Sequence, residues 1–167
     1  MMTQKTIMEL SISVEIESVH TPDALMLIEQ LTHELAPRYP DSKAGGAGFR
    51  PTDMDVPGAC FVVARLDGAA VGCGAIRPFA EAGEAGVAEV KRMFVQPAHR
   101  GKGFSRRILA KLEEAARGFG YHALILETGD LQTEAMRLYE KSAFVKCDCW
   151  GEYVGSTWSV CYRKELV

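Results

Sequence analysis

The chain has 167 residues, 47% of them hydrophobic and 25% charged, with a net charge of −3 at neutral pH. One domain of about 150 residues accounts for that length, and the apolar content is enough to offset ordering entropy, which excludes a disordered polypeptide. The acidic balance argues against a general nucleic-acid binder, and no apolar run approaches the ~18 residues of a membrane span. Residues 1–167 are therefore expected to form one soluble domain with no nucleic-acid or membrane partner. The start, Met1-Met2-Thr3-Gln4-Lys5, leads into no apolar stretch of the signal-peptide kind. Five cysteines are an odd and sparse set. No disulfide framework is expected from them, and the reading is of a reduced, cytoplasmic protein.

Ser11–Glu17 alternates Ile12, Val14 and Ile16 with polar side chains, which predicts a half-buried strand. Thr21, Pro22 and Asp23 are helix-start residues, and Ala24, Leu25, Ile28, Leu31 and Leu35 recur at helical spacing until Pro37. Residues 41–57 show no period and carry four prolines and glycines between Gly45 and Pro51, which predicts a mobile loop with room for a short helix. Ala59–Leu66 and Ala69–Phe79 read as strands joined by Asp67-Gly68, a strong hairpin signal. A turn over Glu81–Gly86 leads to a strand from Val87 to Val95.

The next helix runs from Gly103 to Gly118, with Ile108, Leu112, Ala115 and Phe119 on one stripe. Leu124-Ile125-Leu126 is a buried strand, made parallel to the preceding one by the helical crossover. A helix over Leu131–Lys141 and strands over Phe144–Trp150 and Thr157–Lys164 complete the chain. The order β-α-β-β-β-α-β-α-β-β describes an α/β domain of the α+β type: a mixed, mainly antiparallel sheet of about seven strands, flanked by helices.

One segment stands apart in charge. Lys91–Leu112 holds seven basic residues and no acidic one, +7 in all, which leaves −10 for the remainder. Such a patch on an acidic chain suits one polyanionic ligand, although a solvated helix face would look the same by charge alone. Within it, a strand ends at Val95 and two glycines, Gly101 and Gly103, precede a basic helix. Glycines there let backbone N–H groups approach a phosphate at a positive helix terminus. The spacing is neither a Walker loop nor a dinucleotide fingerprint.

The stretch Arg100-Gly-Lys-Gly103-Phe-Ser105 resembles the acetyl-coenzyme A signature Gln/Arg-x-x-Gly-x-Gly/Ala of the GNAT acetyltransferase superfamily. Ala135-Met-Arg-Leu138-Tyr139-Glu140-Lys141-Ser-Ala143-Phe144 resembles its second signature, Ala-x-x-Leu-Tyr-x-Lys-x-Gly-Phe. Ser105 and Ala143 depart from the pattern, as does Gln132, where the family often has a cofactor-contacting Asn. The likeness is firmest over residues 89–144, and it implies a splayed parallel strand pair forming the acetyl-CoA cleft. On that implication the pantetheine arm pairs with Met93, Phe94 and Val95. The pyrophosphate lies on the N–H groups of Arg100, Gly101, Lys102, Gly103, Phe104 and Ser105, and Gln132 is a further contact. Glu89, 11 residues before Arg100 as in the family's histone acetyltransferases, is the implied base, and Tyr139 the implied acid.

The expected reaction is direct transfer of acetyl from acetyl-CoA to a primary amine, with acetyl-CoA consumed as donor and no metal involved. A small-molecule acceptor is favoured, because the domain carries no appended module to hold a protein; a homodimer is compatible with this reading. Candidate acceptor residues are Arg77, Tyr39, Phe49 and Tyr153, with Arg50 and the Trp150–Tyr153 turn nearby. A protein or peptide acceptor, another acyl-CoA, or a non-catalytic CoA sensor are the alternatives, and Glu89 together with Tyr139 favours chemistry over sensing. His99 reads as a surface residue. Cys147-Asp-Cys149 lacks the further ligands of a zinc site, and strand alternation places both thiols on one packed face.

Overall fold

A computed structural model describes residues 10–40, 48–79 and 84–167. Seven strands form one sheet: β1 (Ile12–Glu17), β2 (Cys60–Leu66), β3 (Ala69–Pro78), β4 (Val87–Val95), β5 (Ala123–Gly129), β6 (Val145–Cys147) and β7 (Ser159–Glu165). Their spatial order is β1-β2-β3-β4-β5-β7-β6, antiparallel throughout except at β4–β5. The helices are α1 (Pro22–Leu35), α2 (Phe104–Gly118) and α3 (Thr133–Lys141). Among the described residues no helix is long and apolar enough to cross a membrane.

The local chemistry explains most boundaries. Asp67 (φ 49°) and Gly68 (φ 85°) are both left-handed, the requirement of the two-residue turn that matches strand twist in the β2–β3 hairpin. Thr21 caps α1 by accepting from the Ala24 N–H at 3.2 Å, with Pro22 at the first helical position. The buried face of α1 is Ala24, Leu27, Leu31 and Leu35, while Leu25 is exposed. Ala24, Leu31 and Leu35 keep the expected stripe and Ile28 is half-buried, but Leu27 takes the inward place expected of Leu25, because α1 lies over the Phe61, Val63 and Phe94 side of the sheet. Phe119 is also exposed, since α2 ends before its stripe reaches it.

Two cores sandwich the sheet. α1 covers Phe61, Val63, Cys73 and Phe94, while α2 packs Phe104, Ile108, Leu109 and Leu112 on Val62, Val71, Ile76 and Val90 of the opposite face, where Tyr139 of α3 joins them. Gly72 and Gly74 of β3 face α2, and a Cβ at Gly74 would lie 2.8 Å from Ile108. Their absence of side chain is what allows α2 so close.

β4 is irregular in two places. Its parallel pairing with β5 covers only Val87–Glu89 against Ala123–Ile125, so the two strands part from Val90 onward. Its register with β3 also slips between Cys73 and Ala75, and Arg92 takes a left-handed φ of 58°. This is a β-bulge, which adds one residue and resets the alternation of faces.

The C-terminal region differs from expectation. β6 is only three residues long, so Cys149 lies beyond the strand and bonds to Cys161 of β7 in a disulfide with Cα atoms 5.3 Å apart. The reduced, packed pair read from alternation is therefore corrected: alternation ends where the strand does. Cys60, Cys73 and Cys147 remain thiols. Of the early loop, residues 51–54 form a 3₁₀ turn, while the expectation for residues 41–47 and for the turn tip at 80–83 falls outside the described residues.

Candidate active site

The opening between β4 and β5 is flanked by two cavities, one on the side of the α2 N-terminus and one on the side of β7. Four residues line both: Leu31, Met93, Gln132 and Tyr139.

The first cavity runs along Met93, Phe94 and Val95 to the turn before α2 and the near side of α3. Pro97–His99 form a 3₁₀ turn whose end consumes the Arg100 N–H, which donates to Pro97 at 3.3 Å. Gly101 (φ 76°) and Gly103 (φ 84°) then turn the chain into α2, a conformation costly for any side-chain-bearing residue. A Cβ at either would meet nothing within 4 Å, so packing does not demand glycine there; the backbone conformation does, and it leaves the approach open. The first N–H groups of α2 have no intrahelical acceptor and carry the positive end of its dipole.

Of the expected phosphate-loop residues, Arg100, Gly101, Gly103, Phe104 and Ser105 line this cavity, and Lys102 does not. The Arg100 side chain is occupied, donating to Val95 O at 2.8 Å and to Glu34 at 2.6 Å across Phe94. It fastens the loop to β4 and α1. His99, read from sequence as a surface residue, lines the cavity too, with its buried Nδ1 unpartnered among the described residues.

The second cavity, of about 600 Å³, opens beside β4, β5 and the 152–159 segment. Phe49, Arg77 and Tyr153 line it as expected; Tyr39 does not. Tyr39 is buried, stacks on Trp158 at 4.9 Å and accepts from the Leu131 N–H at 3.0 Å, which makes it part of the wall's support. Arg50 is exposed and pairs with Asp53, and Trp150 packs on Phe79.

Glu89 is 4% exposed with both oxygens engaged: Oε1 by Lys91 Nζ at 2.9 Å and Oε2 by Arg77 Nη2 at 3.2 Å. Lys91 also donates to the Tyr153 hydroxyl at 2.8 Å. Burial lowers the Lys91 pKa, but Glu89 and Tyr153 more than offset it, so the ammonium stays charged.

Glu127 of β5 differs. Its Oε1 is buried without a hydrogen-bond partner among the described residues; burial chiefly raises its pKa, opposed by the nearby Ser159 hydroxyl and the Lys91 charge and helped by the charges of Glu89 and Glu152. Sequence reasoning missed it because Leu124–Leu126 reads as a short buried strand, whereas β5 continues to Gly129 paired with β7. A lone acidic residue after an apolar strand was the available signal. Tyr139 is 5% exposed, set edge-on to Phe144, and full burial pushes its pKa far up, with Glu127 adding to the push.

Residues 25–144 match the model of the acetyltransferase (GNAT) family. The chain belongs to the GNAT family. It is 37% identical over 156 residues to an IAA acetyltransferase of Azospirillum brasilense, covering 93% of this chain and 99% of that one. To the human N-acetylaspartate synthetase it is 37% identical over 112 residues, 66% of this chain and 36% of that protein. Among solved structures, a GNAT acetyltransferase from Elizabethkingia anophelis with acetyl-CoA bound superposes with a TM-score of 0.65 at 19% identity, covering 93% and 98% of the two chains. One from Staphylococcus aureus gives 0.71 at 13% identity, covering 94% and 100%. This GNAT chain is therefore an acetyl-CoA-dependent acetyltransferase. Its splayed β4–β5 pair and open α2 N-terminus fit that donor: an unpaired strand edge for an extended arm, then free N–H groups for phosphate.

Proposed function

We propose that this GNAT enzyme acetylates the primary amine of a small molecule, which occupies the cavity beside β5 and attacks the thioester directly. The observation that carries the reading is the junction of the two cavities at Met93, Gln132 and Tyr139, which lets donor and acceptor meet. A volume of about 600 Å³ suits a small molecule. The relative named for N-acetylaspartate, a small N-acetylated compound, supports the same class.

An alkyl amine with pKa near 10.4 arrives protonated at pH 7, and freeing its lone pair costs roughly 4–5 kcal/mol. In this mechanism Glu127, whose Oε1 has no hydrogen-bond partner among the described residues and whose raised pKa makes it a better proton acceptor, takes that proton directly or through water. Glu89 fixes Lys91 and Arg77 on the cavity wall. A backbone N–H near Met93 or Phe94 polarises the thioester carbonyl. Tyr139, which stays a neutral phenol at working pH because burial disfavours its anion, donates to the departing thiolate. The pyrophosphate rests on the N–H groups of residues 103–105.

The test is release of free CoA from acetyl-CoA across a panel of small amines, with the acetylated product identified by mass spectrometry. Turnover of at least one free amine is expected. Acetylation of peptides with no free amine turned over would overturn the reading.

A further inference from the structure

The charges on the acceptor wall do not all balance. Lys91 and Arg77 share Glu89, and Arg77 also pairs with Asp53 at 3.6 Å. Arg92 has no acidic partner among the described residues. Only 8% exposed, it is held by two hydrogen bonds from Nη2, to Ile28 O and Thr32 Oγ1 of α1, each 2.7 Å. Both acceptors are neutral. The Phe49 ring covers one side of the guanidinium at 5.4 Å, and Nε is buried with no hydrogen-bond partner among the described residues. Burial lowers its pKa, yet a guanidinium remains charged near neutrality. A buried cation without a counter-charge is costly, so one kept beside a cavity is placed to receive an anion.

The β4 bulge is what puts it there. In regular alternation Glu89 and Lys91 face the α1 side and residue 92 would face α2. The extra residue at the bulge leaves Arg92 on the α1 side and returns Met93 to the α2 side, against Gly74 and Ile108. Lys91 and Arg92 consequently line the same cavity, and Arg92 holds an uncommon φ of 58° to do so.

We propose that the acceptor is an amino acid: its carboxylate pairs with the Arg92 guanidinium and its amine lies toward Glu127. Among the described residues, Arg92 and Glu127 are the two charged groups of this cavity with a buried atom that has no hydrogen-bond partner, one of each sign, as a zwitterion requires. α1 holds the guanidinium in place before substrate arrives, so little ordering entropy is lost on binding. The carboxylate would restore the missing counter-charge with charge-assisted hydrogen bonds. This inference rests on the small-amine reading and narrows it.

The experiment compares amino acids with the amines that differ from them only by loss of the carboxylate: phenylalanine with phenethylamine, lysine with cadaverine, methionine with 3-(methylthio)propylamine. At saturating acetyl-CoA, kcat/KM of the preferred amino acid should exceed that of its decarboxylated counterpart at least a hundredfold. In Arg92→Gln that ratio should fall toward one through a raised KM for the amino acid, and Arg92→Lys should restore part of it. Equal or better turnover of the decarboxylated member in every pair, or an undiminished ratio in Arg92→Gln, would sink the proposal while leaving the small-amine reading intact. Failure of all free amines beside acetylation of peptides would overturn both. Should the Arg92 variants not fold, product inhibition of the wild-type enzyme decides. The N-acetyl amino acid should compete with the acceptor at least tenfold better than its neutral amide, and equal inhibition by the two would count against the carboxylate site.

Discussion

Glu89 and Glu127 lie on the two parallel strands, yet their surroundings differ. Glu89 has two cations on its oxygens and Glu127 has a free oxygen and a raised pKa. A carboxylate raised by burial favours the fold below its unfolded pKa of about 4.5, and that contribution is lost as pH rises through the folded value. Well above pH 4.5 Glu127 thus weakens the fold. Glu127→Gln should raise the melting temperature at pH 7, with the gain shrinking toward pH 4, while turnover falls 10²–10⁴-fold and CoA affinity stays unchanged. A less stable or fully active variant would remove Glu127 from the mechanism. Glu89→Ala should instead cost on the order of 3 kcal/mol in urea unfolding, because it takes the buried Lys91 ammonium's carboxylate away and leaves Arg77 with Asp53 alone. If Glu89→Gln folds normally and abolishes turnover with recovery at high pH, Glu89 and not Glu127 is the base. Tyr139→Phe keeps the ring packing on Phe144 and removes only the donor, so a 10²–10⁴-fold loss in turnover with unchanged CoA affinity isolates its role.

At the scale of elements, the turn into α2 and the loop after β6 each shape one cavity. Gly103→Asp places a side chain at φ 84° and a negative charge beside the helix N-terminus. CoA affinity by calorimetry should fall at least tenfold, and an unchanged value would move the phosphate site elsewhere. The Cys149–Cys161 disulfide closes a segment whose residues 152, 153 and 155–159 wall the acceptor cavity. Restricting a loop of that size is worth about 2–3 kcal/mol in the chain-entropy account. Reductant should therefore lower wild-type stability by about that amount and leave Cys149→Ser unaffected; equal sensitivity of both would show that the bond contributes nothing. Burial lifts the Cys60 thiol to about 11 and Cys73 to about 12, so neither should alkylate readily at pH 8 in the folded protein.

Across the whole molecule, a +7 segment is set into an otherwise −10 chain. Arg100 and Arg106 line the cavity at the α2 N-terminus, so with the phosphates bound there CoA affinity should weaken steadily from 50 to 500 mM salt as charges are screened. An affinity indifferent to salt would mean that backbone N–H groups alone hold the phosphates.

The order of elements, the Asp67-Gly68 turn and the Gly101–Gly103 entry into α2 were all legible in the chain, since each depends on residues adjacent in sequence. Periodicity, a turn dipeptide and a φ requirement are local properties, and both family signatures lie on local elements of this kind. The pairing of Cys149 with Cys161, the entry of Glu127 into the cavity and the turning of Arg92 toward α1 were not legible. Each is set by where strand pairing stops or slips: β6 ends before Cys149, β5 runs on to carry Glu127 into the cavity, and a one-residue bulge turns Arg92 from one face of the sheet to the other. Side-chain alternation along a strand is fixed by sequence only while the register holds. Where it breaks, the packing of α1 and β7 against the sheet decides which charge meets which.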